Sequence, residues 1–205
     1  MGARYPVVLD LTDRSVVVVG GGRVAERKAR GLVEAGAAVR VVSPEVTDGL
    51  ARLAERGALT LDRRPYRAGD LRGAALAVAA TGDPSANRAV ADEADALGVL
   101  VNVVDDPDRG GFAVPAVLRR GELVIAVSTS GRTPGLAGAL RRRLERDYGP
   151  EWATLVELVG ELRERLPAAT DDAWDGLLAP EVLDSLRRGE IGHARGTIQR
   201  CLSSS

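Results

Sequence analysis

Gly20, Gly22 and Ala25 fall in the pattern G-x-G-x-x-A, directly after the apolar run Val16–Val19 and at the head of a segment with helical periodicity. The order of parts has a physical meaning. The first glycine turns the chain, the second lets a pyrophosphate approach the backbone, and the small third residue lets helix pack on strand. The helix N-terminus then supplies N–H donors for phosphates. Gly20, Gly21, Gly22, Arg23 and Val24 therefore read as a dinucleotide-binding turn, with Arg23 placed to contact a phosphate. In such sites an acidic residue at the end of the second strand holds the ribose hydroxyls. Here Val41-Val42 is followed by Ser43-Pro44-Glu45, so Glu45 or Ser43 substitutes for it. The other reading of Glu45 is a first-turn helix residue favoured by the helix dipole. This spacing does not separate NAD from NADP.

In an open parallel sheet the chemistry lies beyond the carboxyl ends of the strands. Two further strand ends are the ones to inspect, Thr81 to Asp83 and Asn102 to Asp106, with Thr81 and Asn102 as the candidates to face the cofactor. Asp105 caps an apolar strand, where partial desolvation raises a carboxyl pKa towards that of a useful proton acceptor. Its alternative is a turn-initiating aspartate ahead of Asp106-Pro107. Ser128, Thr129 and Ser130, followed by Gly131, Arg132 and Thr133-Pro134, form a polar loop feeding a helix N-terminus. Such a loop either binds an anionic group or caps the helix. Arg132, together with Arg119, Arg120 and Arg141 to Arg143, offers forked donors for a polycarboxylated ligand, against the plain reading of a solvated face.

Other chemistries are excluded by composition. There is one histidine, His193, far along the chain, and one cysteine, Cys201, so no Ser-His-Asp grouping, intramolecular disulfide or preformed transition-metal cage is available. No resident metal is expected. The 28 basic and 29 acidic residues leave a formal net charge of -1, which gives no bulk attraction to nucleic acid or to a membrane surface. The start, MGARYPVVLDL, has neither the basic n-region nor the long apolar h-region of a signal peptide, and no apolar run approaches membrane-spanning length. A cytoplasmic location is expected.

These side chains must be held by regular elements, and the patterning predicts which. Ser15–Val19 is a strand buried on both faces, followed by a helix over Val24–Ala35 that Gly36 closes. Strand Ala38–Val42, helix Glu45–Arg56, strand Leu59–Arg63, strand Ala74–Ala80, helix Ser85–Leu97 closed by Gly98, and strand Leu100–Val104 follow. Strand and helix alternating in this way imply an α/β class, a doubly wound parallel Rossmann sheet. Beyond Gly111 the pattern changes to a hairpin, with strands Phe112–Leu118 and Glu122–Ser128 joined by Arg119-Arg120-Gly121. Helices are expected from Thr133 to about Tyr148, over Glu151–Leu166, and from Pro180 to about Arg188, with a polar, frayed tail. The expected division is a nucleotide-binding domain at 1–111, a central hairpin and helix region at 112–148, and a helical region at 149–205.

Several segments together resemble the precorrin-2 dehydrogenase and sirohydrochlorin ferrochelatase family, which forms the amino-terminal half of siroheme synthase. They are Tyr5-Pro6 with Leu9-Asp10-Leu11, VVVVGGGRVAERKARGL (Val16–Leu32), VVSPE (Val41–Glu45), AVAATGDPSANRAV (Ala77–Val90), NVVDDP (Asn102–Pro107) and FAVPAVLRRGELVIAVSTSGRTPGLA (Phe112–Ala137). The resemblance implies oxidation of precorrin-2 to sirohydrochlorin with NAD+ as hydride acceptor. In some members iron insertion follows, with Fe2+ as co-substrate. It also implies a homodimer, assigned to the central region, and cofactor contacts at Arg23-Val24 and Pro44-Glu45. The family's key aspartate falls on Asp105, as general base and as an aid to chelation, and the tetrapyrrole is expected against Ser128, Thr129, Ser130 and Arg132. The segment after Tyr148 matches loosely, and with the chain ending at Ser205 no uroporphyrinogen methylation is expected. A rival is an NAD-binding redox sensor or regulatory module, which shares the glycine turn but needs no base at Asp105. A small hydroxy-acid dehydrogenase would want a positioned histidine or lysine. Neither is evident, because Lys28 lies inside the first helix.

Overall fold

The computed structural model describes residues 4–104, 106, 108–163 and 171–203. By contact it divides into two compact units, Met1–Val114 and Pro115–Ser205. The first unit alternates β1 (Ser15–Val19), α1 (Arg23–Glu34), β2 (Ala38–Val42), α2 (Asp48–Glu55), β3 (Thr60–Asp62), β4 (Leu76–Ala79), α3 (Pro84–Leu97) and β5 (Leu100–Val103). All five strands pair in parallel in the order β3-β2-β1-β4-β5. Consecutive order therefore breaks between β1 and β4, the switch point where open α/β sheets bind ligands.

The valine run of β1 is unbroken because each face of this central strand is covered. Val16 and Val18 pack with Ala25 and Ala29 of α1 and Leu50 of α2, while Val17 and Val19 pack with Leu71 and with Val90, Ala91 and Ala94 of α3. Helix α2 begins at Asp48 with Thr47 as its N-cap, three residues later than expected. Glu45 consequently lies in the turn and is not a first-turn helix residue.

Residues 63–75, between β3 and β4, form neither strand nor helix and are tied down by two carboxylates. Asp70, 9% exposed, accepts both arms of the Arg64 guanidinium at 2.7 and 2.8 Å and the Arg67 N–H at 2.9 Å. Arg40 of β2 lies 3.6 Å from the same carboxylate. Glu93 of α3 accepts the N–H groups of Gly69 and Leu71 and the Tyr66 hydroxyl.

The second unit contains an antiparallel hairpin, β6 (Ala116–Arg120) and β7 (Leu123–Val127), then α4 (Pro134–Asp147), α5 (Glu151–Arg163), α6 (Asp171–Leu177), α7 (Pro180–Arg187) and α8 (Ile191–Ser203). Three expectations are corrected here. The strand expected from Phe112 starts at Ala116, because Phe112 lies along β5 with its N–H donated to the Val101 carbonyl at 3.3 Å. Arg119 and Arg120 belong to β6, and the reversal is Gly121-Glu122 with Gly121 at φ 57, the positive φ that two-residue hairpin turns need. Finally, the tail is not frayed. Ala194, Ile198 and Leu202, one turn apart on α8, pack against Leu155, Leu158, Leu183 and Leu186, so a narrow apolar stripe inside a polar segment suffices for burial. Helix α6 was not anticipated, and the expected end of α5 at Leu166 lies outside the described residues.

The Asp70 network gives a pH-dependent contribution to stability. Held by the Arg64 guanidinium first, and by the Arg67 N–H and Arg40, the Asp70 carboxyl titrates at about 2. A depressed carboxyl stabilises the fold above the ordinary carboxylate range, and that contribution disappears as pH falls from about 4 towards 2. Asp70→Asn is expected to lower the urea-unfolding free energy of the first unit by about 2 kcal/mol at pH 7, with the difference from wild type shrinking through this acid window. Urea titrations at a series of pH values check both the size and the direction.

Candidate dinucleotide-binding site

At the switch point the chain leaves β1 and turns through three glycines into α1, and each glycine meets a different neighbour. Gly20 sits at φ 120, and a Cβ there would run into the Ala80 carbonyl oxygen just beyond β4. Its N–H donates to the Val42 carbonyl at 3.0 Å, which stitches the turn to the end of β2. At Gly21 a Cβ would run into the Glu45 carbonyl oxygen and stand 2.8 Å from Ser43 Oγ. Gly22 differs, because a Cβ there meets nothing within 4 Å.

Gly22 is also the N-cap of α1, in extended geometry and with no side-chain cap. The first helical bond runs from the Glu26 N–H to the Gly22 carbonyl at 2.9 Å, so the N–H groups of Arg23, Val24 and Ala25 have no partner within the helix. Open space above a glycine, uncapped donors and the positive end of a helix dipole together fit a pyrophosphate. Arg23 is exposed beside them.

The β2 end resolves how Ser43, Pro44 and Glu45 share their work. Ser43 is buried, and its hydroxyl donates to the Glu45 carbonyl at 2.6 Å while its N–H donates to the Asp62 carbonyl at 3.1 Å. It is a strut inside the turn. The Glu45 side chain stays exposed, as does Pro44.

The turn has a further support that the sequence reading did not include. The Thr47 N–H donates to the Gly21 carbonyl at 3.0 Å, and its hydroxyl donates to Glu26 Oε2 at 2.6 Å. The Thr47 hydroxyl first, and the Arg30 guanidinium second, hold the Glu26 carboxyl below its ordinary range. The only sequence signal was the N-cap pattern, threonine followed by aspartate ahead of an apolar turn.

Beyond β4, the Thr81 N–H donates to Asn87 Oδ1 at 3.1 Å and the Asn87 amide returns a bond to the Thr81 carbonyl at 3.1 Å. The Thr81 hydroxyl donates to the Asp83 carbonyl at 2.9 Å, and Asp83 in turn caps α3 through the Ser85 N–H at 2.8 Å. Asn87, six residues from its partner, carries no local sequence signal. On β5, Asn102 projects to the face opposite buried Val101 and Val103, and its Nδ2 donates to the Phe112 carbonyl at 3.1 Å. Its Oδ1 is buried with no partner among the described residues. Asp105, the expected base, lies outside the described residues.

The glycine turn, the β2 end and the Thr81 loop are thus brought to one edge of the sheet in the first unit. Ser128, Thr129, Ser130 and Arg132 come together in one loop of the second unit, before α4. Ser128 Oγ accepts the Ser130 N–H at 3.2 Å, and Thr129 Oγ1 accepts the Thr133 N–H at 3.2 Å. Ser130 adopts φ 52, the left-handed region that non-glycine residues avoid. Arg132 is exposed. Among the described residues no group of three His, Cys, Asp or Glu side chains could hold a metal ion, and no helix is long and apolar enough to cross a membrane.

Comparison with known proteins adds four findings. Residues 7–116 match the model of a family described as putative NAD(P)-binding. Siroheme synthase of Chromobacterium violaceum is 38% identical over 206 residues, covering 98% of this chain and 44% of that protein. Siroheme synthase of Methylococcus capsulatus is 42% identical over 179 residues, covering 84% of this chain and 38% of that protein. The chain therefore spans less than half the length of these curated relatives. The solved structure of SirC, a precorrin-2 dehydrogenase, superposes with a TM-score of 0.73 at 30% identity, covering 97% of this chain and 98% of that one.

The glycines make separable predictions. Gly22→Ala, in extended backbone with free space, is expected to keep the wild-type melting temperature while weakening NAD+ binding at least tenfold, because its methyl group occupies the phosphate cradle. Gly20→Ala, at positive φ and against the Ala80 carbonyl, is expected to lower the melting temperature itself. Thermal melts paired with calorimetric NAD+ titrations distinguish the two.

Proposed function

Because the chain belongs to the precorrin-2 dehydrogenase family, we propose that it oxidises precorrin-2 to sirohydrochlorin, with NAD+ as the acceptor. The observation that carries this is the Gly22 cradle at the switch point, in a chain that covers 98% of a precorrin-2 dehydrogenase. Bound NAD+ supplies the hydride acceptor. The chain's own task is to hold the pyrophosphate on the N–H groups that open α1, to set the ribose against the Ser43-Pro44-Glu45 turn, and to accept the proton released when precorrin-2 loses hydride. We assign that proton to the Asp105 carboxylate. The step would balance, with hydride going to bound NAD+, a proton to the base, and conjugation gained by the macrocycle. Thr81 and Asn102 belong to the same strand-end edge, on the nicotinamide side of the sheet.

For the tetrapyrrole we assign Ser128, Thr129, Ser130 and Arg132, whose loop offers hydroxyls and one exposed guanidinium suited to carboxylates. Iron insertion as a second activity is supported by the siroheme synthase relatives, and Fe2+ would be its substrate. We also infer a homodimer through the second unit, supported by Leu136 and Leu140, one turn apart on α4 and 54% and 42% exposed. We also assign a cytoplasmic location, supported by the proposed use of NAD+.

Anaerobic incubation with precorrin-2 and NAD+ is expected to develop the sirohydrochlorin spectrum, and no change would defeat the reading. Asp105→Ala is expected to bind NAD+ normally and to oxidise precorrin-2 about a hundredfold more slowly. An undiminished rate would remove the base from Asp105, and binding without oxidation in the wild type would favour a redox sensor. Fe2+ added after oxidation tests chelation by the shift to the siroheme spectrum. In light scattering, Leu140→Arg is expected to halve the particle mass.

A further inference from the structure

Thr47 touches the glycine turn from the start of α2, and its contacts bear on how the turn is aimed. Its N–H donates to the Gly21 carbonyl at 3.0 Å. In a planar trans peptide the C=O and the following N–H point in opposite directions. Fixing the Gly21 carbonyl towards Thr47 therefore aims the Gly22 N–H away from Thr47, and a Cβ at Gly22 itself meets nothing within 4 Å.

The Thr47 side chain is itself held. Its hydroxyl donates to Glu26 Oε2 at 2.6 Å and accepts the Leu50 N–H at 3.3 Å, so one oxygen joins the first turns of α1 and α2. Glu26 is anchored in turn by the Arg30 guanidinium at 2.6 Å. Gly49, buried in the first turn of α2, has a specific reason to be glycine, since a Cβ there would run into the Glu26 carboxylate. A glycine inside a helix is unfavourable, and here it leaves room for this contact.

We propose that Thr47, held by Glu26 across Gly49, is a positioning residue for dinucleotide binding that presents the Gly22 N–H to the cofactor's pyrophosphate. The proposal rests on the dinucleotide reading of the glycine turn, and it does not depend on which substrate is oxidised.

The test uses the full chain and two probes, ADP-ribose, which carries the pyrophosphate, and adenosine, which does not. Thr47→Val removes the hydroxyl at nearly constant volume. It is expected to weaken ADP-ribose binding and raise the KM for NAD+ by about fivefold, as befits a loosened charge-assisted hydrogen bond. Adenosine affinity should be unchanged and kcat should stay within about twofold. Thr47→Ser should restore the wild-type values. Gly49→Ala, which pushes on Glu26 without touching the turn, should reproduce the ADP-ribose-selective loss and serves where Thr47→Val fails to fold. Wild-type ADP-ribose affinity in either variant would overturn the proposal, as would a parallel loss of adenosine affinity, which marks general loosening. A wild-type chain that binds neither probe would overturn the dinucleotide reading and this proposal with it. Binding without precorrin-2 oxidation would instead remove only the assigned substrate.

Discussion

Everything at the functional edge of the sheet depends on how closely backbone approaches backbone around the end of β1. The chain must turn from strand into helix between the Ala80 carbonyl on one side and the Glu45 carbonyl on the other, and a side chain at Gly20 or Gly21 would strike one or the other. A Cβ at the third glycine, Gly22, meets nothing within 4 Å. Two glycines thus satisfy the fold, and the third leaves open space beside the uncapped start of α1. The same closeness makes the β2–α2 turn part of the site, because it forms the floor on which the glycine turn rests.

The charges around this edge follow one economy. Donors that open α1 are left uncapped, whereas α3 has Asp83 and α2 has Thr47 as caps. A helix start without a cap costs stability, and leaving it open is sensible where an anion will complete it. The carboxylates nearby are occupied. Glu26 is engaged by Thr47 and Arg30, and Asp70 by Arg64 and the Arg67 N–H, so neither presents a bare charge. Glu45 by contrast is an exposed carboxylate at the turn where a ribose is expected.

Much of this was legible in the sequence because it is local. The valine run, the glycine spacing and the helix-closing glycines each report on a few neighbouring residues, and strands β1 and β2 fall where patterning puts them. What escaped depends on contacts between distant segments. Asn87 reaches back to Thr81, Thr47 to Glu26, and Asp70 to Arg40 across the sheet edge, and none of these pairs has a periodic signature. Helix α8 escaped for a related reason, since Ala194, Ile198 and Leu202 bury a stripe one residue wide while the segment's overall composition is polar. The function was legible only through resemblance, because a glycine turn alone fits many nucleotide-dependent reactions.

Hydride transfer with gain of conjugation asks little of the side chains beyond a proton acceptor and correct placement. In the proposed reaction bound NAD+ would supply the electron sink, leaving the chain to bind and orient its ligands. Placement of that kind is done by backbone, which explains why the residues that matter most in the first unit are glycines and their buttresses instead of a cluster of reactive groups. It also explains the shape of Asn102, whose amide is fixed on the Phe112 carbonyl beside the strand end that leads to Asp105. A flipped amide would set two carbonyl oxygens against each other, so the orientation is determined and the buried Oδ1 must face inward. The polar residue within β5 thus holds the returning segment at Phe112 against the strand.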